Sequence, residues 1–201
     1  PSDLDGEGSP IQLAIRRTAT YKRNRKIFMV STPTVKGLST VEDYFEQSDQ
    51  RRYFVPCPSC GDMQTIEWKR IIWTDDDPST AKLHCESCGI EIEEQHKTNM
   101  LNKGEWRPTA VGRYRGYHLS SLYSPAGWYG WSDAAEDFLA ARKSGQEQMK
   151  TFVNTVLGET YEEAGEQIDP LGLIMRREEY PGDLEFEVKT VAVDVQKDRL
   201  E

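Results

Sequence analysis

At 201 residues the chain is long enough for one large domain or two small ones, and it has no apolar run long enough to cross a bilayer. That reads as a soluble protein and excludes a helical membrane span. A net charge of −9 argues against a uniformly basic coat for nucleic acid. The average nevertheless hides an asymmetry. Residues 9–41 carry seven Lys or Arg and no acid, a local balance compatible with phosphate contact but also with an ordinary solvated helix face. No Met opens the sequence, and it stops at a strand-like run, so the chain reads as a segment of a longer protein.

After a Gly- and Asp-rich entry, Ile11, Ile15 and Ala19 recur at helical spacing beneath Arg16, Arg17, Lys22 and Arg23. Lys26-Ile-Phe-Met-Val-Ser31 is an apolar run of strand length, broken at Ser31-Thr-Pro-Thr34 by Pro33. Ser39-Thr-Val-Glu42 has the form of a capping box, which predicts a helix carrying Val41, Tyr44 and Phe45 toward a core. Helix, strand, polar turn and helix in that order suit an α/β domain.

Residues 52–92 read as an inserted module of short strands around two cysteine pairs, Cys57-Pro-Ser-Cys60 and Cys85-Glu-Ser-Cys88, each followed by glycine. Two C-x-x-C turns supply four thiolates, the soft tetrahedral set of a structural zinc ribbon, and Gly61 and Gly89 sit where each knuckle needs positive φ. A pair of disulfides and a thioredoxin-like redox motif are the alternatives. The first needs an oxidising compartment for which no signal peptide argues, and the second needs only one pair. So small a module lacks the core to fold alone, which gives a metal an energetic role. Asp75-Asp-Asp-Pro-Ser79 is a loop by composition. His84 adjoins Cys85 and is assigned a supporting or exposed role; His96 and His118 have no partner pattern and read as structural.

From Trp106 to Trp131 the chain is rich in Trp, Tyr, Gly and Pro, with Arg107, Arg113 and Arg115 interspersed. Rings in that setting can stack on bases, but burial against a neighbouring element is the simpler use of such large side chains. Ser132 reads as the N-cap of a helix running to Gly145, with Asp133 and Glu136 near its positive end. Met149, Phe152, Val153, Val156 and Leu157 form a core stripe on a second helix ending at Gly158. An acidic, irregular stretch follows as a linker. Glu187-Val-Lys-Thr-Val-Ala-Val-Asp-Val195 is then a strong strand with Asp194 at its carboxyl end, and Asp198 falls in the turn beyond.

Several of these segments together resemble the lambda-type large subunit of phage terminase. They are Gly6-Glu-Gly-Ser-Pro10, Lys26 to Thr34, Tyr53 to Gly61, Gly116-Tyr-His-Leu-Ser-Ser-Leu-Tyr-Ser-Pro125, Lys150 to Glu159, and Ala192 to Glu201, in family order. The resemblance implies an ATP-driven DNA translocase and metal-dependent endonuclease that packages and cuts viral genomes in the host bacterial cytoplasm. Its implied partners are double-stranded DNA, the terminase small subunit, the portal protein and further copies in a homo-oligomeric motor, with no membrane.

On the family plan, residues 1–51 are the C-terminal part of a P-loop-type ATPase domain and 52–92 its zinc-ribbon-like insertion. Residues 93–160 complete that domain, 161–186 are linker, and 187–201 begin an RNase H-like nuclease. No G-x-x-x-x-G-K-[ST] is present, so the phosphate-cradling loop lies outside this chain and the segment is expected to be inactive alone. The resemblance further implies that Ser31, Thr32, Pro33 and Thr34 couple ATP state to DNA movement. It also implies that Asp194 is the first nuclease acid, a ligand for Mg²⁺ or Mn²⁺, and catalytic. The alternative reading is a non-catalytic zinc-ribbon adaptor that binds nucleic acid or protein.

Overall fold

A computed structural model describes residues 9–21 and 23–162 of the chain. The strand expected at 187–195, with Asp194 and Asp198, lies outside the described residues. Helix α1 (Pro10–Arg17) starts on a proline and ends in two arginines, both favourable positions for those residues, and a 3₁₀ turn at Ala19–Tyr21 extends it. Helix α2 (Thr40–Glu46) begins where the Ser39 signal puts it. The capping-box hydrogen bonds do not form, however. Ser39 Oγ accepts instead from the Thr34 amide at 3.2 Å, and Glu42 accepts from the Gly37 amide at 2.9 Å, so both side chains brace the turn before the helix.

The expected strand at 26–31 is absent. Ile27, Phe28, Met29 and Val30 form no regular element and are exposed, Phe28 at 85%, and no described strand pairs with them. The physical reason is that a strand is a property of a pair: β-propensity without a neighbour's amides and carbonyls makes no ladder.

Two sheets follow, the first mixed and the second antiparallel. In the first, β1 (Arg51–Pro56) pairs with β6 (Glu105–Arg107) on one edge and, on the other, with β2 (Met63–Gln64) and in parallel with β7 (Tyr117–His118). In the second, β3 (Ile71–Thr74), β4 (Asp77–His84) and β5 (Glu91–Ile92) run in order. The acidic loop expected at 75–79 shrinks to a two-residue turn. Asp75 and Asp76 hold φ of 51° and 55°, as a hairpin of this twist requires, and Asp77 already pairs with Thr74.

Helix α3 (Lys97–Asn102) connects the sheets, and α4 (Trp131–Ser144) and α5 (Gln146–Phe152) close the described chain, α5 running on through a π turn at Val153–Leu157 to Gly158. The α4 start differs from the predicted Ser132 cap. Gly130 is the N-cap, its amide donating to Asp133 at 2.6 Å, while the Trp131 amide donates to Glu94 at 3.1 Å. Glu94 is itself paired with fully buried Lys97, whose ammonium also donates to the Tyr129 carbonyl. The orphan amides of a helix end are thus satisfied from a distant 3₁₀ turn, an arrangement with no local sequence signal.

The core joins the second sheet to the last helices. Trp68, Trp73, Phe138 and Phe152 stack with ring centroids 5.1 to 6.0 Å apart, in tilted or edge-on geometry. A second group, Tyr53, Trp106, Tyr117 and Tyr123, packs along β1. Tyr123 is the pivot there: its hydroxyl donates to the Tyr53 carbonyl and accepts from the Ile66 amide, at 2.8 and 2.7 Å. Most rings of 106–131 are used in packing, and Trp131 is fully buried, but Trp128 stands 82% exposed on a turn.

Candidate metal centre

The two knuckles are built alike because the same short sequence solves the same local problem twice. Cys57 donates its amide to the Asp62 carbonyl and Cys85 to that of Ile90, while the Gly61 and Gly89 amides donate back to the Cys57 and Cys85 carbonyls. Closing so tight a loop puts Gly61 and Gly89 at φ of 76° and 72°, where an L side chain is strained. Strand β1 delivers Cys57, strand β4 delivers Cys85, and the second cysteine of each pair sits in the turn.

The four sulfurs meet. All lie within 4.8 Å of one another, and Cys57 to Cys88 and Cys60 to Cys85 are each 3.9 Å apart. A zinc ion with sulfurs at 2.3 Å in a tetrahedron holds them about 3.8 Å apart. The cysteines are free, so neither a disulfide pair nor a redox bridge is formed. Cys57 and Cys85 are buried, Cys60 and Cys88 exposed, which leaves one side of the cluster open to solution.

The electrostatics of the thiols point to a cation. At Cys85 burial opposes ionisation, yet the amides of Cys88 and Ser87 and the neighbouring thiols outweigh it and bring the pKa to about 6. At Cys60 the Asp62 amide favours the thiolate, but desolvation and the other three thiols prevail and push the pKa up to about 12. Cys85 is thus driven toward the thiolate and Cys60 away from it, a conflict that a bound divalent ion removes. The donor set and spacing fit zinc.

The other expected site residues lie elsewhere. Ser31, Thr32, Pro33 and Thr34 form an irregular segment whose end is pinned: Thr34 donates to Ser39, and its carbonyl accepts from the Tyr161 amide at 3.0 Å. Ser31 and Pro33 line a cleft of about 450 Å³ with Phe45, Arg52, His118 and Glu159. His118 is the residue that sequence reasoning passed over. Its Nδ1 lies 2.6 Å from Arg52 Nη1 and its Nε2 3.0 Å from the Gly158 carbonyl, so the neutral ring accepts at the first nitrogen and donates at the second. Burial, reinforced by the Arg52 charge, lowers its pKa to about 4. A lone histidine in sequence gives no sign of this, since its partners are 66 and 40 residues away.

The fold and site together define a mixed α/β protein stapled by a four-cysteine knuckle pair. Residues 1–106 match the family described as phage terminase large subunit gpA, ATPase domain, and residues 114–201 match terminase large subunit gpA, endonuclease domain. Two curated relatives, the terminase large subunits of Enterobacteria phage P21 and Escherichia phage lambda, are each 30% identical over 99% of this chain and 35% of their own length. No solved structure matches. The chain belongs to the gpA family of phage terminase large subunits, and it spans about a third of the length of the curated relatives it matches.

Proposed function

We propose that this chain is the middle of a viral DNA-packaging motor subunit, an ATP-driven translocase of double-stranded DNA and a metal-dependent endonuclease in the whole protein. The observation that carries the proposal is the succession of ATPase-domain and endonuclease-domain similarity along one chain. In that setting the exposed run Ile27–Val30 becomes a strand of the P-loop-type ATPase sheet only when neighbours supplied outside residues 9–162 pair with it. The hydroxyl-rich turn Ser31–Thr34 follows such a strand, where ligands of open α/β sheets bind, and its anchoring to Ser39 and Tyr161 suits a part that relays nucleotide state. Terminase small subunit, portal protein and further copies of the subunit are its partners, in the host bacterial cytoplasm; among the described residues no helix is long and apolar enough to cross a membrane.

Cys57, Cys60, Cys85 and Cys88 hold one zinc ion. The ion supplies structure, neutralising thiolates and joining the β1 and β4 strands at one end of the module, and with four protein ligands no position remains for substrate. Although the endonuclease-domain similarity already begins at residue 114, Phe138 and Phe152 against Trp68 and Trp73 support grouping residues 93–160 with the metal-bearing 52–92 and residues 1–51, ahead of a linker at 161–186 and an RNase H-like fold from 187. Asp194 then binds Mg²⁺ or Mn²⁺ for phosphodiester cleavage. A free-standing zinc-ribbon adaptor is the lesser reading, since the family similarity runs through the whole chain and is not confined to the cysteine module.

Metal analysis of reduced protein tests the centre: one zinc per chain is expected, lost in Cys60→Ser and kept in His84→Ala. Absence of stoichiometric zinc in freshly prepared parent protein refutes it.

A further inference from the structure

Arg70 closes the 3₁₀ turn Trp68–Arg70 that leads into β3. The β3–β4 register sets Ile71, which follows Arg70, opposite Leu83, two residues before Cys85. On the first sheet Gln64 pairs with Val55, two residues before Cys57. Arg70 and Gln64 therefore meet where the strands bearing both buried cysteines converge.

Their contacts tie the two knuckles together. Arg70 Nη1 donates to Gln64 Oε1 at 2.7 Å and to Glu86 Oε2 at 3.3 Å, and the Glu86 amide donates to the same Gln64 oxygen at 3.1 Å. Glu86 follows Cys85 inside the second knuckle. A second tie, from Ser87 to Asp62, joins the knuckles on their exposed side.

The charge is unbalanced as it stands. A guanidinium stays protonated, and burying it is costly without compensation. Arg70 is only 7% exposed, and the one carboxylate ion-paired with it among the described residues, Glu86, is 71% exposed. Arg70 Nε and Nη2 and Gln64 Nε2 are buried donors with no partner among the described residues. Four thiolates around one divalent ion carry a net charge of about −2. A buried cation only partly balanced by Glu86, the neighbour of Cys85, carries the sign of charge such a centre lacks.

We propose that Arg70 is a positioning and counter-charge residue of the tetrathiolate centre, stabilising the metal-bound state electrostatically while Gln64 and Glu86 hold the second knuckle in register. The proposal rests on the metal centre assigned above. It predicts effects of opposite sign at two touching residues. Arg70→Met lowers zinc affinity about 10- to 100-fold, the scale of losses when a partner outside the ligand shell is removed. Arg70→Lys recovers most of that loss because the charge survives. Glu86→Gln raises affinity, since it removes a negative charge that competes with the thiolates for Arg70 while keeping the amide that bonds Gln64.

The experiment is a zinc competition titration of the chain against a chromogenic chelator, with the Co²⁺ absorption spectrum recorded for each variant and far-UV circular dichroism as the fold control. Charge-transfer bands from sulfur to cobalt shift in Arg70→Met, a response that a purely structural residue does not give. Affinity and spectrum of Arg70→Met matching the parent overturn the proposal. So does a loss of affinity in Glu86→Gln, which makes the cluster a mechanical clamp without an electrostatic role. Should Arg70→Met not fold, the sign of the Glu86→Gln effect decides. A parent that binds no zinc removes the metal centre itself and this proposal with it, an outcome distinct from any difference between variants.

Discussion

His118 offers a quantitative test of the fold through pH. Its pKa in the folded chain is about 4, against an ordinary value of 6.5. For a base with a lowered folded pKa, the unfolded chain binds more protons between those two values. The contribution is therefore fully present above pH 6.5 and is lost as pH falls toward 4. At pH 4.5 the loss relative to pH 7.5 is about 2 to 3 kcal/mol, obtained by integrating proton binding over the interval. Urea unfolding midpoints of parent and His118→Gln at the two pH values measure it. The zinc thiolates also protonate in acid, so the informative quantity is the difference between the two proteins, in which the metal contribution cancels. The parent is expected to lose about 2 to 3 kcal/mol more than the variant on acidification. A proton NMR titration identifies the ring directly, by the imidazole signal missing from His118→Gln. An inflection near 6.5, or equal acid losses in the two proteins, refutes the buried neutral ring hydrogen-bonded between Arg52 and Gly158.

Three further outcomes are expected. Tyr123→Phe removes the hydroxyl that pairs the Ile66 amide and the Tyr53 carbonyl and costs about 1–3 kcal/mol in urea unfolding, because a buried amide is left without a partner; a change near zero means that water replaces the hydroxyl. In the full-length subunit, Thr32→Ala is expected to spare nucleotide binding but reduce DNA-stimulated ATP hydrolysis or packaging, and parent-like values for both refute the coupling role. Asp194→Asn in the same protein is expected to abolish metal-dependent DNA cleavage while ATP hydrolysis persists, since a neutral amide is a poor ligand for a hard divalent ion; retained cleavage, or ATPase loss together with a large drop in melting temperature, counts against it.

What the sequence determined by itself is local. The C-x-x-C-G spacing closes each knuckle through hydrogen bonds inside a six-residue loop, so the residues that do this are adjacent and legible. Gly145 and Gly158 end their helices for the same reason, and the Phe152 and Leu157 stripe needs only the helical period to be recognised as core. What the tertiary structure decided is pairing across distance. β1 looks like an isolated strand until β6 and β7 take its two edges, and Glu94 has no visible role until it meets the Trp131 amide 37 residues later. The same rule works in reverse at Ile27–Val30, where propensity is present and no described strand pairs with it. The four thiols were legible as a set, but Arg70 against Glu86 of the second knuckle was not, because its place depends on the Ile71–Leu83 register and on Gln64 from another sheet. Periodicity and turn chemistry are written in neighbouring residues, whereas hydrogen-bond partners and buried charges are assigned only when distant strands settle into register.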